Sequence, residues 1–148
     1  ANLGKILDSY ESNRAKYTTL ESFVPDLVEF YKWLSENPDQ VFGKCPHVTS
    51  VEPFANNSDS ARSETKEMRI HFDKPLAGSG FSIWRSQSEG TQFPIDGQNV
   101  RYKDGNKTLV LGLAMNPKTK YEFILVGTNF KSLDGYPLLD YVVSFQTK

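Results

Sequence analysis

The chain has 148 residues, 38% of them hydrophobic and 24% charged, with a formal net charge of −1, the composition of a folded domain rather than a disordered tail. Ten Phe, seven Tyr and two Trp provide ample core material, and a pI near 6.2 excludes a protein whose main work is to grip nucleic acid through its phosphates. The single cysteine, Cys45, precludes an internal disulfide, and with His47 and His71 it leaves too few ligands for an ordinary zinc site, so neither a metal nor a cofactor is expected.

Glycine and proline are spread unevenly. Nine of the ten glycines and six of the eight prolines lie from Gly43 onward, and formal charge changes at the same place: residues 1–45 hold five Lys/Arg against seven Asp/Glu, residues 46–148 twelve against eleven. This divides the chain into a helical segment, 1–45, and a turn-rich domain, 46–148. In the first, Leu3, Ile6, Leu7 and Tyr10 share one face of a short amphipathic helix. Beyond a polar joint, Leu20, Phe23, Val24, Leu27, Val28, Tyr31 and Leu34 predict a second, four-turn helix with Glu21, Glu29, Lys32 and Glu36 on its wet side. Thr18 or Ser22 caps it, since Pro25 is tolerated only near its start, and Pro38 and Gly43 end it. Trp33 falls opposite the centre of the apolar stripe, so it is expected either to pack on an upstream domain or to be partly exposed or shielded by the first helix.

From His47 onward the period becomes two. Met68, Ile70 and Phe72 alternate with Glu67, Arg69 and His71, predicting a strand with one buried and one wet face. The same alternation places Phe81 and Ile83 against Ser82 and Trp84, and Leu109, Leu111 and Leu113 against Val110 and Gly112. It recurs with Tyr121, Phe123 and Leu125 against Glu122, Ile124 and Val126, and with Val143 and Phe145 against Val142 and Ser144. Weaker strands are expected at 47–51 and 99–102. Turn signals separate them, among them Gly78-Ser79-Gly80, Asp96-Gly97, Asp104-Gly105, Asn116-Pro117 and Asp134-Gly135, and Asp104-Gly105 reads as a hairpin. About seven short strands without intervening helix predict a mostly β Greek-key sandwich behind a two-helix N-terminal segment.

Pro117 followed four residues later by Tyr121 looks like a tyrosine corner, in which the phenol bonds back to upstream backbone. Together with Pro46-His-Val-Thr-Ser-Val-Glu-Pro53, Met68-Arg-Ile-His-Phe-Asp-Lys-Pro75, Gly127-Thr-Asn-Phe-Lys-Ser-Leu-Asp-Gly-Tyr-Pro-Leu138 and the closing Tyr141–Thr147, the domain resembles the bacterial Ig-like domains of S-layer and other cell-surface proteins. That resemblance covers about 46–148. It implies a non-catalytic sandwich in an exported multidomain protein, in the periplasm, on the outer surface or outside the cell. Such a module spaces or supports a neighbouring domain of the same polypeptide, or meets a surface glycan or protein, and carries no catalytic residues. The preceding helices read as the tail of a larger upstream domain.

The residues themselves offer little chemistry. Cys45 lies two positions from His47 but reads as a small buried thiol, and His71 reads as a solvated strand residue. Glu67, Glu122 and Asp134 have no spacing that pairs them as a glycosidase requires, and Asp134-Gly135 lacks the ligand spacing of an EF-hand. Asn56-Asn-Ser58 and Asn106-Lys-Thr108 match the glycosylation sequon but are expected to be idle in a bacterial protein. Trp84 is expected as the core tryptophan of the third strand. The alternative is a sugar-stacking platform of Trp84 and Tyr102 with loop residues near Phe130 and Tyr136, which would make a carbohydrate-binding module. No apolar run of about 18 residues predicts a transmembrane span. The chain starts at Ala1 and reads as a mature or excised segment, so the lack of a signal peptide does not argue for the cytoplasm.

Overall fold

The structure, a computed structural model, describes Val28, Glu29, Lys32, Trp33 and residues 35–148. The chain separates into two compact units, residues 1–45 with Asp134–Tyr136, and residues 46–133 with 137–148.

In the first unit the expected helix over residues 3–10 lies outside the described residues. So does the one over residues 20–34, apart from Val28, Glu29, Lys32 and Trp33, which are helical. Val28, placed on the buried stripe by its spacing, is instead 60% exposed. The helical residues before Pro38 stop at Glu36, with Asn37 outside the helix, and Pro38 also opens a second short helix, α1 (Pro38–Phe42), because proline lacks only an N–H that the first helical turn leaves unused. Gly43 does close it, donating its N–H to Asp39 O at 3.0 Å.

The second unit is mostly β. Its seven strands are β1 (Val48–Glu52), β2 (Glu67–Phe72), β3 (Ile83–Arg85), β4 (Ile95–Lys103), β5 (Thr108–Leu113), β6 (Lys120–Leu125) and β7 (Tyr141–Gln146). They form two sheets, β1-β2-β5-β4 and β3-β6-β7, antiparallel throughout. Met68, Ile70 and Phe72 of β2, Leu109, Leu111 and Leu113 of β5, Tyr121, Phe123 and Leu125 of β6, and Val143 and Phe145 of β7 join one hydrophobic cluster. The two sheets thus enclose a common core, as the alternation predicts.

Two strands depart from expectation. β4 begins at Ile95, four residues early, because Ile95 and Asp96 pair with Leu113 and Gly112 before an irregularity that resumes at Val100. β5 is buried on both sides: its outward Val110 lies in register between Arg69 and Arg101, and Arg101 Nη2 donates to Glu67 Oε1 at 2.6 Å from the far flank. Apolar alternation shows only that Leu109, Leu111 and Leu113 face inward. The covering of the other side is a long-range effect. The β4–β5 hairpin turns through Asp104, Gly105 and Asn106, all at positive φ, conformations that glycine, asparagine and aspartate tolerate best.

Candidate functional site

The outer face of the three-stranded sheet is built by period two. If Ile83, Phe123, Leu125 and Val143 point inward, their alternates Trp84, Ile124 and Val142 must point out. Register places Trp84 opposite Ile124 and Ile124 opposite Val142, so the three form one row across the sheet. Trp84 is 61% exposed and Val142 46%, with Ile124 half-buried between them. The expectation that Trp84 is the core tryptophan is therefore corrected: Ile83 takes the inward position, and β3, in adding Trp84 one residue later, turns it to the opposite face.

The next row is polar. Glu122 stands opposite Ser144 on β7, and the Oε1 of Glu122 accepts hydroxyl hydrogen bonds from both Ser86 and Ser88. Those serines belong to a loop that leaves β3 and folds back, Thr91 Oγ1 donating to Ser88 O at 2.8 Å and Gln92 rejoining the sheet edge beside Tyr121. The two hydroxyls hold the Glu122 carboxyl below the usual glutamate range, because they bond to its ionised form. Beside it opens a cleft of about 310 Å³ lined by Arg85, Ser86, Thr91, Gln92, Phe93 and Glu122, in which the Arg85 guanidinium lies over the Phe93 ring, 5.2 Å from its centroid. Reading the phases of β3, β6 and β7 together would have found this face. The serine staple carries no sequence signal, because a loop brings Ser86 and Ser88 to a residue more than thirty positions away.

The other candidates scatter. Tyr102 lies on β4, in the other sheet, its ring stacked on Phe81 at 5.1 Å and its hydroxyl donating to Gly80 O. Burial pushes its pKa up to about 12. Phe130 is fully buried in the core cluster, since a 3₁₀ turn (Gly127–Asn129) and the bond from Leu138 N–H to Phe130 O fold its loop inward. Tyr136 is 3% exposed, so neither ring is offered to a ligand, and the platform expected of Trp84, Tyr102, Phe130 and Tyr136 does not assemble. Trp33 is half-buried in the first unit, its carbonyl accepting from Asn37 Nδ2. At the Pro117 turn, the Asn116 N–H donates to Tyr121 Oη at 2.7 Å.

His71 is not simply solvated: its Nδ1 lies 3.0 Å from Thr108 Oγ1 and its Nε2 3.3 Å from a Glu52 oxygen. His47 faces Asp73, and Cys45 is buried. Glu67 and Glu122 occupy different sheets and form no catalytic pair. Asn56 of the first sequon is used structurally, accepting from Ser144 N–H and donating to Val142 O along the edge of β7. Among the described residues no three His, Cys, Asp or Glu side chains gather as a metal site would need, and no helix is long and apolar enough to cross a membrane.

No family model matches the chain, and no curated protein matches it significantly. Among solved structures it is similar to CopC from Methylosinus trichosporium OB3b, at 17% identity over 70% of this chain and 93% of that one, with a TM-score of 0.45. It is also similar to the S-layer protein rSbsC(31-844), at 15% identity and a TM-score of 0.44, and to domains 1-6 of surface layer protein SbsC, at 15% and 0.45. Each of those two matches covers 98% of this chain but 22% of the S-layer chain, so the chain spans about a fifth of their length.

Proposed function

We infer that residues 46–148 form a non-catalytic Ig-like module of a larger exported bacterial protein, which spaces or supports a neighbouring domain and meets partners through the outer face of β3, β6 and β7. The observation that carries this reading is the strand order. β1-β2-β5-β4 and β3-β6-β7 correspond to the A-B-E-D and C-F-G orders of a constant-type immunoglobulin sandwich. The Asn116 to Tyr121 bond supports it, since it has the form of a tyrosine corner just before the sixth strand. Export and bacterial origin rest on the sequence resemblance of 46–53, 68–75 and 127–138.

A supporting role is favoured over catalysis because groups suited to chemistry are engaged in holding the fold. Glu67 bridges to Arg101, His47 to Asp73, and Glu122 staples a loop. Residues 1–45 then read as the tail of the supported domain. This is tested by expressing the chain with the domain that precedes it in the natural polypeptide, in a Trp84→Phe background that leaves Trp33 as the chain's one tryptophan. Trp33 emission is expected to shift to the blue relative to the 148-residue chain. Unchanged emission counts against a supporting contact.

A further inference from the structure

We propose that the outer face of the three-stranded sheet carries a binding subsite for a neutral pyranose sugar, whose ring stacks on Trp84 while its hydroxyls reach Glu122 and the cleft beside it. This rests on the reading that the face meets a partner, and names the ligand. Trp84, Ile124 and Val142 give an apolar floor three strands wide, about 10 Å across at the usual strand spacing. The exposed indole offers a flat surface to the C–H face of a sugar ring. Two residues further along the strands, about 7 Å away, stands Glu122.

That carboxylate is fixed before any ligand arrives, because Ser86 and Ser88 both donate to Oε1, and such preorganisation lowers the cost of binding. The cleft it borders holds about 310 Å³, at the lower end of volumes in which proteins bind small molecules. Its groups suit a polyol: the carboxylate accepts, the Arg85 guanidinium donates, and the Gln92 amide does both. A protein partner fits less well. The row of Trp84, Ile124 and Val142 is bounded along one side by the polar row of Glu122 and Ser144, whereas a specific protein interface buries roughly 800 Å² on each side around an apolar centre.

The experiment titrates the full chain, in a Trp33→Phe background, with maltotetraose, cellotetraose and N,N′,N″,N‴-tetraacetylchitotetraose, followed by calorimetry and by the emission of Trp84. At least one probe is expected to bind saturably and shift the emission. Binding should be lost in Trp84→Ala, retained in Trp84→Tyr, and weakened about tenfold in Glu122→Gln, which removes a charge-assisted acceptor. Equal thermal midpoints of Trp84→Ala and its parent show that the fold is intact. Silence from all three probes overturns the proposal, as does binding that survives Trp84→Ala. If the sugars fail while Trp33 still shifts in the longer polypeptide, the sugar subsite alone is wrong.

Discussion

Tyr121 is 2% exposed, and its hydroxyl takes the Asn116 N–H at 2.7 Å, where few waters can replace it. Tyr121→Phe keeps the ring against Phe145, 5.5 Å away, and removes only that acceptor. It should cost about 1.5 kcal/mol, read as a lower urea midpoint at unchanged slope. Gly127 answers to a different constraint: a Cβ there would run into the carbonyl of Leu138, while its own N–H donates to Asp140 Oδ1 at 2.9 Å. Gly127→Ala should therefore lose about 3 kcal/mol, because backbone rather than a pliable side chain must yield. Tyr102 carries an alkaline signature. Its phenol titrates at about 12 in the fold against an ordinary 10, so the fold favours the protonated form. The associated stability is complete below pH 10 and falls as pH rises through the interval from 10 to about 12, where the unfolded chain ionises first. Ultraviolet titration of Phe81→Ala, which uncovers the ring, should show that phenol ionising earlier.

The elements most legible in the sequence are those whose pairing leaves one face wet. In β2, β6 and β7 apolar alternation states the burial pattern directly, residue by residue. β3 is too short for that: with three residues, the choice of Ile83 or Trp84 as the inward side chain is made by pairing with Leu125 and Ile124. β4 hides its first residues because Asp96, Gly97 and Gln98 spell a turn, yet the pairing of Ile95 with Leu113 extends the strand back to Ile95. The candidate site follows the same logic, its apolar row readable from three strand phases and its serine staple not readable at all. The staple has a pH dependence of its own. Since Ser86 and Ser88 depress the Glu122 pKa, its contribution is complete above the ordinary glutamate range and disappears as pH falls through the lower, folded value. An NMR titration should show Ser86 and Ser88 resonances moving together with the Glu122 carboxyl. In Glu122→Gln that acid transition should vanish.

At the scale of the whole molecule, composition shows the break near Gly43 but not how seven strands divide between two sheets, because strand order depends on contacts between distant segments. Ala61, Leu76 and Phe130 illustrate the point: each comes from a connecting segment with no periodicity of its own, and each is almost fully buried in the core cluster. The buried members of that cluster run from Ala61 to Phe145, and the partly buried side chains packed on it from Val48 to Tyr141. Among the described residues none comes from 1–45. A domain whose described core members all come from within 46–148 should fold when the rest is removed, whereas a segment of about forty residues on its own buries too little surface to hold a fold. Residues 46–148 expressed alone should therefore give a β-type circular dichroism spectrum and one cooperative thermal transition, with a midpoint close to that of the full chain. Residues 1–42 alone should give the spectrum of a largely unstructured peptide without a transition. A non-cooperative melt of 46–148 would show instead that the first 45 residues supply part of the core, and the boundary at Gly43 would then be a change of composition and not of folding unit.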